Sequence, residues 1–377
     1  MLRFGIEEEY FLTDLDSRQM LAEPPIGIVR TCRTIVGERF AFEMFQGQIE
    51  VASPVFLTST EAFGYLAEVR GRLNEALADH GVGLLCAGSH PLARWRDQQS
   101  TPLPHFQQLF NEFQSVARRS VLSGLHVHVE IPPGVDRIAV MNEVSPWLPM
   151  LLLLSCSSPF WEGEDSGFQS YRQVICDAWP RMGTPEYFQD EMDYQDYLAL
   201  LQRIGAIEKG GNGWWGIRPA SRYPTLELRM TDACPRLHDT VLLATLFRVI
   251  VTHAVNVSQP GAVFDVTQQR LLKENCWQAK RYGARGRFVL DARGDVMNAK
   301  QWLNLARSTF ESTAQEINES QLFDQLLVLL EDGNSASRQL ACHAQASSST
   351  ENSQNALERV VDLLLDETRA SAKDGGC

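Results

Sequence analysis

The chain has 377 residues, of which 44% are hydrophobic and 21% charged, and it carries a formal net charge of −13 at pH 7. This composition is typical of a soluble globular enzyme, and the negative charge argues against a general nucleic-acid-binding protein, whose binding surface is basic. The eight cysteines form no C-x-x-C pair, which argues against zinc ribbons and redox motifs. No signal-peptide pattern is visible, and the apolar run at 147–156 is too short to span a bilayer. We therefore expect a cytoplasmic protein that binds neither nucleic acid nor a membrane.

The first part of the chain mixes predicted strands and helices. Period-two patterns bounded by turn residues predict strands at 2–12, 48–52, 82–87, 124–131, 214–218 and 224–231. Helical spacing of apolar residues predicts helices at 58–80, 106–121, 135–157 and 187–204.

The C-terminal part of the chain, from about residue 236, is predicted to be mostly helical. The stretch 344–353 is rich in Ser, Gln and Asn and predicts a mobile surface loop, followed by a last helix at 354–370. Strands early and helices late are typical of an α+β fold with a largely antiparallel sheet. We expect a single catalytic domain over residues 1–377.

Four predicted strands each have one apolar face and one ionisable face. Side chains alternate between the two faces of a strand. The ionisable faces carry Glu7 and Glu9; Glu50; His126, His128 and Glu130; and Glu227 with Arg229. Antiparallel sheets often turn a polar face to solvent, but such faces usually mix Thr, Ser, Lys and Gln, whereas these are chiefly Glu and His. Because buried charges are costly unless they are paired or coordinate a metal, the pattern predicts a divalent-cation site.

The donor atoms indicate which metal this site would hold. Carboxylate oxygens favour Mg²⁺ or Mn²⁺, which proteins usually share with substrate phosphates. A zinc site on His126 and His128 is the competing interpretation, but the number of carboxylates favours magnesium. The sequence contains no Walker A motif and no G-x-G-x-x-G, so a nucleotide would be bound through metal and side chains.

Two groups of cations complement the carboxylates. Arg229 shares a strand face with Glu227, where it would be either an ion-pair partner or a clamp on a phosphoryl group. Lys280 and Arg281 lie in the last turn of a helix that is predicted to end at Gly283. Cations in a last turn also simply complement the helix dipole, so both interpretations stay open.

Seven segments over residues 1–290 resemble those of one family and come in the order expected for it. They are Gly5-Ile6-Glu7-Glu8-Glu9-Tyr10, Glu50-Val51-Ala52-Ser53-Pro54, Ser123-Gly124-Leu125-His126-Val127-His128-Val129, the pair Ser158 to Gly163 and Gly167 to Arg172, Trp214 to Arg229, and Glu274 to Gly283. Together they resemble the glutamate–cysteine ligase type 2 family, in its branch of short bacterial carboxylate–amine ligases.

The resemblance implies a glutamine-synthetase-like fold, in which a curved antiparallel sheet with flanking helices surrounds ATP and metal ions. It also implies ATP-driven amide formation through an acyl phosphate, from a small-molecule carboxylate and an amine, and a homodimer. A phosphotransferase or a non-catalytic sensor of ATP or metal would use the same cluster, so both remain alternatives.

Carried over position by position, the resemblance implies a role for each candidate residue. The implied metal-binding residues are Glu7, Glu9, Glu50, His126 and Glu227. The implied catalytic residues are Glu227 and Arg229, with Arg229 on the transferred phosphate. Arg172, Arg218 and His128 are assigned to substrate binding, and Lys280 and Arg281 to ATP.

Overall fold

The computed structural model describes residues 1–208, 211, 213–258, 265–291, 293–349 and 353–370. Its strands are β1 (Phe4–Asp14), β2 (Phe40–Phe42), β3 (Gln48–Ala52), β4 (Val82–Leu85), β5 (Leu125–Glu130), β6 (Phe160–Trp161), β7 (Glu164–Asp165), β8 (Met182–Gly183), β9 (Trp214–Trp215), β10 (Ile217–Pro219), β11 (Thr225–Leu228), β12 (Phe288–Val289) and β13 (Val296–Met297). Its α-helices are α1 (Ile26–Val36), α2 (Ser59–Ala78), α3 (Pro104–Phe113), α4 (Ser115–Arg118), α5 (Arg137–Val144), α6 (Leu148–Ser155), α7 (Tyr171–Cys176), α8 (Glu191–Arg203), α9 (Leu237–Val257), α10 (Val266–Tyr282), α11 (Ala299–Glu316), α12 (Leu322–Asp332), α13 (Ser335–Ser349) and α14 (Ser353–Ala370).

A seven-stranded antiparallel sheet forms the centre of the fold. Its strand order is β10-β11-β5-β1-β3-β2, and β4 pairs with the end of β1 on the side opposite β3. The long strand β1 therefore contacts three other strands, β3, β4 and β5. This position places the acidic run of β1 in the middle of the sheet.

The two faces of this sheet differ as the alternating pattern predicts. Val127 and Val129 of β5 and Leu226 and Leu228 of β11 are fully buried, and they belong to the largest hydrophobic core. Helix α9 packs against β5 and against α2, α5, α6, α11 and α12, so the helices cover the apolar face. The Glu and His side chains lie on the other face.

Helix α2 has a well-defined beginning. The Thr58 hydroxyl accepts a hydrogen bond from the backbone N–H of Glu61 (3.2 Å), and the Glu61 carboxylate accepts one from the backbone N–H of Thr58 (3.2 Å). This reciprocal pair is a capping box, which satisfies two N–H groups that the helix itself leaves without partners.

Replacing Thr58 with Ala is expected to lower the free energy of unfolding by about 1 kcal/mol, because one of these N–H groups loses its acceptor. Urea denaturation followed by circular dichroism measures the change. The matched control is Thr60→Ala, an exposed position in the first turn of the same helix, where we expect a change within about 0.5 kcal/mol. Equal losses in the two variants would contradict the capping role.

Two helical stretches, Arg137–Ser155 and Leu237–Val257, are long and apolar enough to cross a membrane by length and composition alone. In their most apolar windows, 78% and 72% of the residues are buried inside the protein. Core helices of this kind satisfy the same criteria, so the two stretches are weak evidence for a membrane span.

The structure corrects the predicted loop at 344–353. Helix α13 continues to Ser349 and packs against α14, so 344–349 is helical, while 350–352 lies outside the described residues. The serines of this stretch have a lower helix propensity than its Ala and Gln residues, but packing of one helix against another outweighs local preference. The single-domain organisation stays a prediction.

The predicted helix at 106–121 is also corrected, because it is divided into α3 and α4. Gln114 lies between them with a left-handed backbone (φ 47°), which interrupts the helical hydrogen bonds.

Candidate active site

The strand register brings the predicted ionisable residues together. Glu7 pairs with His126 across β1 and β5, Glu9 pairs with Glu50 across β1 and β3, and His128 pairs with Glu227 across β5 and β11. Directly opposite residues of antiparallel strands point to the same face. Three strand pairs therefore contribute side chains to one surface.

These side chains form three overlapping groups, within each of which the potential ligand atoms lie within 4.8 Å of one another. The groups are Glu7, His128 and Glu227; Glu7, Glu50 and His126; and Glu9, Glu43 and Glu50. Because Glu7 and Glu50 each belong to two groups, the whole is continuous, and we call these seven residues the carboxylate cluster. All five residues predicted to bind metal are members, together with His128, which the sequence analysis assigned to substrate.

His126 lies between the carboxylates of Glu7 and Glu9, and His128 lies beside Glu7. The nearest distances are 3.4 Å from His126 Nδ1 to Glu7 Oε2, 3.5 Å from His126 Nε2 to Glu9 Oε1, and 3.5 Å from His128 Nε2 to Glu7 Oε1. His128 also contacts the Thr225 hydroxyl through Nδ1 (2.9 Å). Both imidazoles are thus held in fixed orientations with a nitrogen toward the carboxylates.

Glu43 is a member of the cluster that the sequence analysis missed. It follows the short strand β2, and its carboxylate lies with those of Glu9 and Glu50. The available signal was a single carboxylate within the apolar run Phe40-Ala41-Phe42-Glu43-Met44-Phe45, similar to that of Glu50 in its own strand.

The electrostatics of the cluster favour a bound cation. Burial, and then the neighbouring Glu7 and Glu9, raise the pKa of Glu50 to about 8. Burial and the carboxylates of Glu9 and Glu50 also raise the pKa of Glu43 well above its usual range. A divalent cation would offset this repulsion and keep the carboxylates ionised.

The histidines are compatible with the same cation. Burial, and then the positive charge of Arg229, lower the pKa of His126, which keeps its imidazole neutral and able to act as a ligand. Five carboxylates together with the neutral imidazole of His126 fit Mg²⁺ or Mn²⁺, whose preferred ligands are oxygens.

Glu227 is held between two guanidinium groups. It accepts hydrogen bonds from Arg218 Nε (2.9 Å), Arg218 Nη2 (3.2 Å) and Arg229 Nη1 (2.5 Å). Although burial opposes the shift, Arg229 and Arg218 hold the pKa of Glu227 below its usual range. The structure thus confirms the predicted proximity of Arg229 to Glu227, and it adds Arg218, which also donates to the Gly213 carbonyl (2.7 Å).

Arg172 approaches the cluster from helix α7. Its side chain is buried, and its guanidinium makes long contacts with the carbonyls of Arg229 (3.3 Å) and Met230 (3.4 Å). A Cβ added to Gly124 would lie 2.4 Å from Arg172 Nη2 and 3.0 Å from His126 Nε2. The guanidinium therefore lies beside the cluster, while its substrate role stays a prediction.

Lys280 and Arg281 lie at the end of α10, as predicted. Lys280 forms an ion pair with Asp177, and Arg281 donates to the Gly167 carbonyl and stacks over Phe168. Among the described residues, no hydrogen bond or ion pair joins either cation to the carboxylate cluster. Their predicted contact with ATP stays a prediction.

A cavity of about 440 Å³ opens beside Glu7 and His128. Its lining includes the beginning of β1, the segment 52–55, and the side chains of Arg3, Arg39 and Tyr223. A partly apolar cavity with a few polar groups next to ionisable residues is the usual form of a small-molecule site.

A family model and several known proteins match this chain over nearly its whole length. The model of a protein family described as "Glutamate-cysteine ligase family 2" matches residues 3–362. A protein of Pseudomonas fluorescens with the name "Putative glutamate--cysteine ligase 2" is 58% identical over 367 residues, which cover 97% of this chain and 95% of that protein. A protein of Pseudomonas aeruginosa with the same name is 46% identical over 374 residues, which cover 99% and 98%.

Two solved structures share the fold. The crystal structure of a glutamate–cysteine ligase from Francisella tularensis in complex with AMP gives a TM-score of 0.70 at 12% identity, covering 99% of this chain and 91% of that one. A bifunctional glutathione synthetase from Pasteurella multocida gives 0.69 at 12% identity, covering 98% and 52%. They confirm the predicted α+β fold with its glutamine-synthetase-like antiparallel sheet. Since the family model matches nearly the whole chain, the protein belongs to the glutamate–cysteine ligase family 2.

Proposed function

We propose that this protein is an ATP- and Mg²⁺-dependent carboxylate–amine ligase, which forms an amide bond through an acyl phosphate. The observation that carries the proposal is the continuous carboxylate cluster, with Arg229 paired to one of its members, in a chain of this family. L-Glutamate and L-cysteine, the pair in the family's name, are the first substrates to test.

The chemistry requires activation of the carboxylate, because an amine does not displace oxide from it. A carboxylate oxygen attacks the γ-phosphorus of ATP, and the bond to ADP breaks. The amine nitrogen then attacks the acyl carbon, phosphate leaves with the bonding electrons, and the nitrogen loses a proton. Mg²⁺ or Mn²⁺, held by the cluster, would offset the charge that spreads over the phosphoryl oxygens.

The chain's own residues would position the reactants. Arg229, anchored by Glu227, would present its remaining N–H groups to the transferred phosphoryl group. Because metal-bound phosphates must lie at the cluster, we place the nucleoside in the adjacent cavity beside Glu7 and His128. Arg172 lies on another side of the cluster, beside His126, where a carboxylate substrate would meet the phosphoryl group.

The remaining properties follow from family and composition. We propose a cytoplasmic enzyme whose partners are ATP and small molecules, without nucleic acid or membrane. We also propose a homodimer, because the resemblance to the family implies one.

We expect the purified protein to release ADP from ATP and Mg²⁺ when L-glutamate and L-cysteine are both present. Coupled measurement of ADP, with mass spectrometry of the products, should detect one dipeptide for each ADP, because amide formation and phosphoryl transfer are coupled in this mechanism. Omission of either amino acid is the control.

Other outcomes distinguish the alternatives. ADP release that needs one acceptor and no amine would indicate a phosphotransferase. Saturable ATP binding without ADP release, with this pair and with a panel of other carboxylates and amines, would contradict the ligase proposal and indicate a sensor.

A further inference from the structure

The buried carboxylate of Asp232 joins the segment after β11 to residues 157–158 and to Ser170. Its Oδ2 accepts hydrogen bonds from the Ser157 backbone N–H (3.0 Å) and the Ser158 hydroxyl (2.7 Å), and its Oδ1 accepts one from the Ser170 hydroxyl (2.8 Å). A Cβ added to Gly88 would lie 2.6 Å from the Asp232 Cγ. The carboxylate is thus fixed in place on every side for which contacts are described.

Two of these serines hold the backbone that carries Arg172. The Ser158 hydroxyl accepts a hydrogen bond from the Arg172 backbone N–H (3.0 Å). Ser170 is the N-cap of α7, where it accepts from the backbone N–H of Gln173 (3.3 Å), and Arg172 lies in the first turn of that helix. Both hydroxyls donate to Asp232, so its carboxylate is linked through them to the first turn of α7.

The guanidinium of Arg172 makes longer contacts than the backbone N–H of the same residue. Its Nη1 lies 4.0 Å from Asp232 Oδ1, beyond hydrogen-bond distance, and its two carbonyl contacts are 3.3 and 3.4 Å long. The Nε atom is buried and has no hydrogen-bond partner among the described residues. A guanidinium has five N–H donors, so most of its donor capacity is unused.

The guanidinium of Arg172 lies next to the carboxylate cluster. It shares the space above Gly124 with the His126 ring, and the Gly124 backbone N–H donates to Glu9 Oε2 (2.6 Å). Only a residue without a side chain leaves room there for both groups. A buried, incompletely bonded cation beside the carboxylate cluster is suited to an anionic ligand, which would supply the missing acceptors.

We propose that Asp232 is a positioning residue, which acts through Ser158 and Ser170 to hold Arg172 beside His126, where Arg172 receives a carboxylate of the acid substrate. That this anion is a carboxylate of the acid substrate rests on the proposed function. L-Glutamate is the ligand used to probe the site. Because the Asp232 carboxylate is occupied by three neutral donors, it orients Arg172 while leaving its N–H groups for the ligand.

The test is a double-mutant cycle on binding, which needs no turnover. Isothermal titration of L-glutamate, in the presence of Mg²⁺ and a non-hydrolysable ATP analogue, is done for Asp232→Asn, Arg172→Gln and the double variant. We expect Asp232→Asn to weaken L-glutamate binding by about tenfold and Arg172→Gln by at least as much. The double variant should bind no more weakly than Arg172→Gln alone, because Asp232 acts through Arg172. Affinity for the ATP analogue should change less than about twofold in all three.

A matched control is Asp239→Asn, which removes another buried aspartate that is paired with an arginine, Arg338 (3.4 Å). This variant should leave L-glutamate affinity unchanged. If Asp232→Asn does not fold, Ser170→Ala replaces it and should weaken L-glutamate selectively, by a smaller factor.

Additive losses in the double variant, or equal weakening of L-glutamate and of the ATP analogue, would overturn the proposal and indicate a purely structural role for Asp232. Failure of the wild-type protein to bind L-glutamate would also overturn it. Selective binding without any ADP release would support this inference and contradict the proposed function alone.

Discussion

Replacement of Glu227 with Gln is expected to reduce the rate of ADP release by at least about 100-fold, equivalent to about 2.7 kcal/mol of transition-state stabilisation. The change keeps the shape of the side chain but removes its charge. The cluster then loses one carboxylate, and Arg218 and Arg229 lose the anion between them. Two guanidinium groups without that anion repel each other, so Arg229 would no longer be held for the phosphoryl group.

Binding of Mn²⁺, followed by electron paramagnetic resonance, provides a second measurement that does not depend on turnover. We expect the affinity of Glu227→Gln for Mn²⁺ to fall at least about tenfold. The control is Glu331→Gln, which removes an exposed ion pair with Lys300 (2.7 Å) and should change neither quantity. Normal ADP release in Glu227→Gln would contradict both the metal-binding role of Glu227 and its role in holding Arg229 for the phosphoryl group.

Much of this cluster was predictable because period-two alternation in a strand is a strong signal. Glu7 with Glu9, and Glu227 with Arg229, share a face wherever the strand is located, so their common orientation follows from the sequence. The register does not follow from it. That Glu9 faces Glu50 and that Glu7 faces His126 depends on pairing between segments tens of residues apart, which no local pattern specifies.

The residues that the sequence analysis missed also depend on contacts between distant segments. Glu43 lies outside any regular strand, and only the return of the chain from β2 to β3 brings it to Glu9. Asp232 follows β11 as an ordinary acidic residue in the sequence, and its three donors come from segments 62 to 75 residues away. The helix that replaces the predicted loop at 344–349 likewise depends on packing between α13 and α14.

Another interaction that the sequence alone does not predict lies on the opposite face of β1 from the carboxylate cluster. Glu8 points to the opposite face from Glu7 and Glu9, as alternation predicts, but that face is the core. There its carboxylate binds the Arg70 guanidinium of α2, and both side chains are at most 2% exposed. Arg70 also donates to the carbonyls of Cys234 (2.9 Å) and Pro235 (2.6 Å), so it connects α2 to β1 and to the segment after β11.

Replacement of Arg70 with Met is therefore expected to lower the free energy of unfolding by about 3–5 kcal/mol, because it leaves Glu8 as a buried charge without its cation. The methionine keeps most of the buried volume, so the loss reflects charge and hydrogen bonds rather than a cavity. Urea denaturation, with tryptophan fluorescence and circular dichroism as independent probes, measures the change.

The same helix offers a matched control. Arg72 forms an ion pair with Glu68 one turn away (3.5 Å), but the two side chains are 53% and 67% exposed, so Arg72→Met should cost less than about 1 kcal/mol. Adding Glu8→Gln to Arg70→Met removes the unpaired charge and should restore part of the lost stability, because a neutral amide is cheaper to bury than a carboxylate. If the double variant were less stable than Arg70→Met, or if Arg72→Met cost as much, the loss would have to come from packing of the α2 surface. The stability that Glu8→Gln restores thus measures the cost of an unpaired Glu8. The stability that it does not restore measures the contacts that Arg70 makes with Cys234 and Pro235.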